Sequence, residues 1–349
     1  MKLKKNNISL DQFINQSLYN KKFGYYMKKD PFGKSGDFIT APNISRLFSE
    51  MIAIWIVSFW ESLGSPKKFN LIELGAGNGE MMKVLIESFQ NFPVFLNSCN
   101  FIIHEKSPSL IKIQKKKFIK TKISWVSKIV KIKKLPSIFI ANEFFDAIAI
   151  RQFEKKKNSW FEKLINLKEK NNPRFFYKKF NLKKIEKKIK LKISQKQNFI
   201  EYSELGLDYL KDISQIIKKN TGGLLLIDYG YTEKKMKNTL QGVSNHKFAN
   251  IFKDIGNVDI THNINFNLFK RFVKQTKRLK TILTTQKKFL LNMGIKQRAE
   301  IISRNQSFLK KADIFYRFNR LIDEKQMGNL FKVMLIKNEK NKFNLGFKN

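Results

Sequence analysis

The chain is short of several things at once. Its 349 residues include one cysteine, three histidines and seven prolines, and only 28 acidic side chains against 69 basic ones. A lone Cys99 excludes an internal disulfide framework and a cysteine-built zinc site. His104, His246 and His262 are too widely spaced for a His-rich centre, so no metal is expected. Long apolar runs are also missing. The longest, Met51–Trp60, falls well short of the ~18 residues that would suggest a membrane span. Met1–Leu10 is basic, with no apolar run or small-residue cleavage site, so no signal peptide is read and the default compartment is the cytoplasm. What is present is a globular composition. With 42% hydrophobic and 13% aromatic residues the chain is no disordered polycation, and its length supports a large core.

The scarcity of acids leaves a formal net charge of +41, which invites a nucleic-acid reading. The kind of base argues otherwise. Nine of the 69 basic residues are Arg and 60 are Lys, whereas specific phosphate and base contacts favour the planar Arg fork. Lys, Asn, Ile and the 33 Phe all have A/T-rich codons, so codon bias accounts for the pattern without selection for RNA. The charge is uneven. Glu154–Gln197 carries 16 basic and 4 acidic residues, and it is the best candidate for a functional basic patch.

Strand and helix alternate along much of the chain. Thr40-Ala-Pro-Asn43 is expected to open a helix running to about Leu63, capped by Thr40 or Asn43. Phe69–Leu74, Asn100–His104, Ser137–Ala141 and Leu224–Asp228 read as continuously apolar strands, with helices after the first two and before the fourth. That pattern predicts an α/β fold: a Rossmann-like parallel sheet with helices on both faces. The expected organisation has an N-terminal helical segment over residues 1–66 and a cofactor-binding core over 67–153 and 201–264. A basic β-rich insertion, 154–200, interrupts the core. A helical segment with a final strand, 265–349, ends the chain. No repeats are evident, and oligomeric state is not legible.

The informative segment is Leu71-Ile-Glu-Leu-Gly-Ala-Gly-Asn-Gly79. A glycine-rich turn between a parallel strand and a helix lets backbone approach a ligand at the sheet's C-terminal edge. The spacing Gly75-x-Gly77-x-Gly79 is neither the dinucleotide fingerprint nor a phosphate-binding P-loop. Glu73 would repel a pyrophosphate, yet it suits the amino group of a cationic, phosphate-free cofactor such as S-adenosylmethionine. Glu105, 26 residues beyond Gly79 and at the end of the next strand, is placed to accept hydrogen bonds from ribose hydroxyls. Ser107 caps the following helix beside it.

Further segments carry a resemblance. Gly24-Tyr-Tyr26, Gly36-Asp-Phe-Ile-Thr-Ala-Pro42, Glu73–Gly79, Glu105-Lys-Ser-Pro108, Ala141-Asn-Glu-Phe-Phe-Asp-Ala147, Arg151-Gln-Phe153, Ile227-Asp-Tyr-Gly230, Thr239-Leu-Gln241, Thr285-Gln286 and Met327-Gly-x-Leu-Phe-Lys-Val333 are similar, in order and spacing, to the MidA family. The similarity runs from about residue 8 to about 335. It implies a class I S-adenosylmethionine-dependent methyltransferase related to a mitochondrial protein arginine methyltransferase that assists respiratory complex I assembly. The implied substrate is a protein, an NADH dehydrogenase subunit. Ala76 and Asn78 stand where the family usually has Pro and Arg, and Asn43 and Arg46 replace its usual Glu and Gln. Asn265 replaces an Asp.

An arginine guanidinium, with a pKa of roughly 12.5–13.8 in water, has no free nitrogen lone pair. Carboxylates can hold the fork bidentately and localise its charge. Glu143 is the first candidate for that role, followed by Asp37 and Asp146, with Asn142 beside the cofactor. Thr40, Asp228 and Tyr229 are candidates for contacting substrate. Two other readings stand beside this one. One is a methyltransferase on RNA or another small acceptor, using the Glu154–Gln197 surface. The other is a non-enzymatic assembly chaperone on the same scaffold.

Overall fold

The structure is a computed structural model that describes residues 7–28, 40–168, 173–244 and 247–348. The chain divides into two compact units. One comprises residues 1–29, 145–211 and 231–272, and the other comprises 30–144, 212–230 and 273–349. This division follows spatial contact and cuts across the segments expected from chain order.

The larger unit is built on a sheet of seven strands: β1 (Phe69–Leu74), β2 (Cys99–His104), β3 (Ile123–Val126), β4 (Ser137–Asn142), β5 (Gly222–Tyr231), β6 (Leu279–Thr285) and β7 (Phe331–Asn338). Their order across the sheet is β6-β7-β5-β4-β1-β2-β3. Strands β1 to β5 pair in parallel, while β7 runs antiparallel between β5 and β6. Every residue of β1 and β4 is buried, as a parallel sheet covered on both faces requires. The order doubles back between β1 and β4, the switch point at which open α/β sheets bind ligands beyond their strand C-termini.

The expected single helix from Thr40 to Leu63 is two. A one-turn α1 (Ala41–Ile44) ends at Ser45, whose extended backbone (φ −150°, ψ 130°) breaks the helix. The Ser45 hydroxyl then accepts from Leu47 N at 3.3 Å and caps α2 (Arg46–Ser62). Helix α2 buries Leu47, Phe48, Met51, Ile52, Trp55, Ile56 and Phe59 in the core of this unit. Helices α3 (Glu80–Phe89) and α4 (Pro108–Lys117) follow β1 and β2. Gly79 opens α3, and Ser107, accepting from Leu110 N at 3.2 Å, caps α4.

Strands β3 and β6 were not expected from the sequence. Strand β6 lies in the stretch read as helical after Asn265, and its alternating Thr281, Leu283 and Thr285 zip antiparallel against β7.

In the smaller unit Arg151–Lys156, Ser159–Asn166 and Arg174–Phe180 form an antiparallel run, joined by Asn7–Ser9 and Phe199–Tyr202. A helix, Lys183–Ile189, lies between these strands in sequence. No helix among the described residues is long and apolar enough to cross a membrane.

Candidate functional site

The glycine turn after β1 leaves the sheet in left-handed conformations. Gly75, Gly77 and Gly79 have φ of 66°, 53° and 78°. A Cβ on Gly75 would stand 2.8 Å from the Phe144 ring, and one on Gly79 would stand 3.0 Å from Phe118. Both conformation and space therefore demand glycine. The turn is tied to the next strand by Gly75 N donating to His104 O at 2.9 Å. It lines a cleft of about 370 Å³, including its open mouth, together with Thr40, Asn43, Glu73, Asn142 and Glu143.

Glu73 is 3% exposed, and its Oε2 has no hydrogen-bond partner. Burial, reinforced by the charge of Glu105 and partly offset by Lys117, pushes its pKa up to about 8. Asn142 Oδ1 is likewise buried without a partner, while its Nδ2 donates to Glu143 Oε1 at 3.2 Å. Such orphaned acceptors are costly unless a ligand supplies donors. A carboxylate and an amide oxygen fit a cationic, donor-bearing ligand and do not fit a phosphate.

Glu105 follows β2. Its Oε1 accepts from the backbone N–H groups of Lys106 (2.7 Å) and Ser107 (2.9 Å). Burial raises its pKa, and these hydrogen bonds oppose the rise.

Glu143 follows β4 with φ of 48°, a conformation rare for a residue with a side chain. Its amide is pinned to Ile227 O at 2.9 Å, and its Oε1 accepts from Ala41 N at 3.2 Å. Asn78 Nδ2 donates to Asn43 Oδ1 (3.3 Å), and Asn43 Nδ2 to Thr40 Oγ1 (2.8 Å). Two departures from the family pattern thus touch each other across the cleft.

The other expected residues lie elsewhere. Asp228 is fully buried in β5, its Oδ1 accepting from Tyr229 N at 3.0 Å, and Tyr229 packs edge-on against Phe331. Neither lines the cleft. Asp146 belongs to the smaller unit, where its Oδ2 accepts from Thr261 Oγ1 at 3.2 Å. Asp37 and His246 lie outside the described residues. His104 is buried with Nδ1 3.0 Å from Val126 O, and burial lowers its pKa to about 4, as befits a packing residue. Gln114, Trp125 and Phe144 were not singled out from the sequence. The available signal was a Gln set among lysines on α4, one turn after the core residue Leu110.

Residues 51–285 match the profile of a family described as an S-adenosyl-L-methionine-dependent methyltransferase, Methyltransf_28. The chain is 29% identical to the Xenopus laevis protein named "Protein arginine methyltransferase NDUFAF7, mitochondrial", over 93% of this chain and 80% of that protein. Its human counterpart of the same name is 26% identical over 93% of this chain and 78% of its own length. A crystal structure of a Burkholderia thailandensis protein bound to S-adenosyl-homocysteine superposes with a TM-score of 0.81 at 21% identity, covering 99% of this chain and 89% of that one. The fold is therefore that of the class I methyltransferases and the cofactor is S-adenosylmethionine. The cytoplasmic expectation is corrected: the relatives are named mitochondrial. That expectation rested on a missing apolar leader, and a basic N-terminus without one does not separate these compartments.

Proposed function

This chain belongs to the S-adenosylmethionine-dependent methyltransferase family matched by residues 51–285, and from that premise we propose that it methylates arginine side chains of a protein acceptor. The relatives' name, protein arginine methyltransferase, supports the acceptor class. The resemblance read from the sequence adds an NADH dehydrogenase subunit as the protein. The carrying observation is the buried Glu73 carboxylate, one oxygen unpartnered, beside three left-handed glycines.

In this reading Glu73 and Asn142 hold the amino-acid end of the cofactor, Gly75, Gly77 and Gly79 make room for it, and Glu105 with Ser107 meets the ribose. Bound S-adenosylmethionine supplies a methyl group on a sulfonium. Glu143, held rigidly at the cleft, binds the acceptor guanidinium and draws its charge away from the nitrogen that reacts. Thr40 lines the same cleft and contacts the acceptor.

The test is incubation of the purified chain with labelled S-adenosylmethionine and protein extract, with mass spectrometry to locate the label. Label on arginine is expected. Glu143→Ala should cut incorporation roughly tenfold or more while cofactor affinity stays within a few-fold. Full incorporation by that variant removes Glu143 from its role, and label on RNA alone replaces the acceptor.

A further inference from the structure

Helix α4 is rich in lysine, with Lys112, Lys115, Lys116 and Lys117, yet Gln114 in its middle is completely buried. A buried amide needs partners for both ends. Its Oε1 accepts from Trp125 Nε1 at 2.8 Å. An indole N–H can only donate, so this contact fixes which end of the amide is oxygen. Both protons on Nε2 then face the cofactor site. One goes to Gly77 O at 2.7 Å and the other toward Glu105 Oε2 at 3.4 Å. Glu105 Oε1 is already taken by two backbone amides, so Gln114 orients the remaining oxygen. The Gln114 Cγ also lies 3.5 Å from where a Cβ on Gly79 would be. One side chain therefore braces the glycine turn after β1 against the carboxylate after β2.

We propose that Gln114 is a positioning residue for the cofactor: it sets the spacing between the Gly77 backbone and the Glu105 carboxylate and aims Glu105 at the ribose hydroxyls. The proposal rests on reading Glu105 as the ribose carboxylate. Glu73 on β1 and Glu105 interact through their charges, and His104 and Lys106 stand beside Glu105 in sequence, while Lys117 on α4 acts on Glu73 and pairs with Glu80.

Replacing the amide by a carboxyl gives a distinctive signature. In Gln114→Glu an oxygen takes the place of Nε2, facing a carbonyl and a carboxylate that both only accept. Repulsion keeps the pair apart while both are ionised. A proton acquired at lower pH restores a donor between them. Relative to the natural chain at the same pH, cofactor affinity of this variant should therefore improve as pH falls from 8 to about 5.5. Affinity of the natural chain should weaken over the same range, as Glu73 is neutralised.

The experiment is titration calorimetry of S-adenosylmethionine into the full chain. Gln114→Ala and the near-isosteric Gln114→Met should bind roughly tenfold to a hundredfold more weakly than the natural chain, with KM for the cofactor raised and kcat little changed. Glu105→Gln serves as the control. If it binds within twofold of the natural chain, the ribose reading fails and takes this proposal with it. If Glu105→Gln is weak but Gln114→Ala and Gln114→Met are not, the proposal alone is overturned. Where the alanine variant does not fold, Gln114→Glu decides. A deficit relative to the natural chain that shrinks as pH falls supports positioning, and a deficit that stays constant with pH overturns it.

Discussion

At the scale of single residues, Glu73 has the strongest consequence. Its ordinary pKa of 4.5 rises to about 8 in the fold, chiefly through burial. Between those values the native chain holds a proton that the unfolded chain has released. Without cofactor, stability therefore falls as pH rises through that window, by up to about 1.4 kcal/mol per unit. Glu73→Gln should abolish this term, and melting temperatures from pH 5 to 8.5 should drop less for the variant than for the natural chain. A cationic ligand reverses the preference and favours the carboxylate. Binding of S-adenosylmethionine near pH 7 should then expel close to one proton. Calorimetry in buffers of different ionisation enthalpy would read that release, which should vanish in Glu73→Gln. Equal proton release by both would remove Glu73 as the ammonium partner.

Among elements, the break at Ser45 matters most to the site. It frees Thr40–Ile44 from the long axis of α2 and carries Thr40 and Asn43 into the cleft. Ser45→Ala loses the cap and favours a continuous helix through that point. Stability should fall by about 1 kcal/mol, and cofactor affinity should fall with it. An unchanged melting curve and unchanged affinity would show that the break does not depend on the cap.

The same element shows what the sequence concealed. Apolar periodicity continues from Ile44 into Leu47 and Phe48, so spacing alone joins the two helices, whereas one hydroxyl separates them. Strands β1 and β4 were legible because both faces are buried and apolar residues fill every position except Asn70, Glu73, Ser137 and Asn142. Strand β6 was not, since Lys280, Thr281, Thr284 and Thr285 give it the composition of a surface segment and only pairing with β7 makes it a strand. In the site, Glu73 and the glycines announced themselves by type and spacing. Gln114 did not, because its role arises from Trp125 and Gly77, 11 and 37 residues away.

For the whole molecule, +41 is a load as well as a possible attraction. Part of it is absorbed locally. Arg151 pairs with Glu162 at 2.7 Å, Lys163 donates to Gln152 Oε1 at 3.1 Å, and Lys156 sits 4.1 Å from the Tyr177 ring centre. With only 28 acids for 69 bases, most lysines repel one another through solvent. Lys183 and Lys184 add a local cost, standing exposed in the first turn of the Lys183–Ile189 helix, where the helix dipole already places positive charge. Screening length falls from about 30 Å at 0.01 M salt to about 8 Å at 0.15 M. The melting temperature of the natural chain should therefore climb over that range. The double variant Lys183→Gln, Lys184→Gln should melt higher than the natural chain at 0.01 M, with the gap closing as salt is added. If these lysines instead form a nucleic-acid surface, the variant would lose RNA affinity, and RNA would stabilise the natural chain at low salt with a steep salt slope. A stabilised variant with unchanged, weak RNA binding marks the charge as background, carried by the fold at a cost that ionic strength relieves.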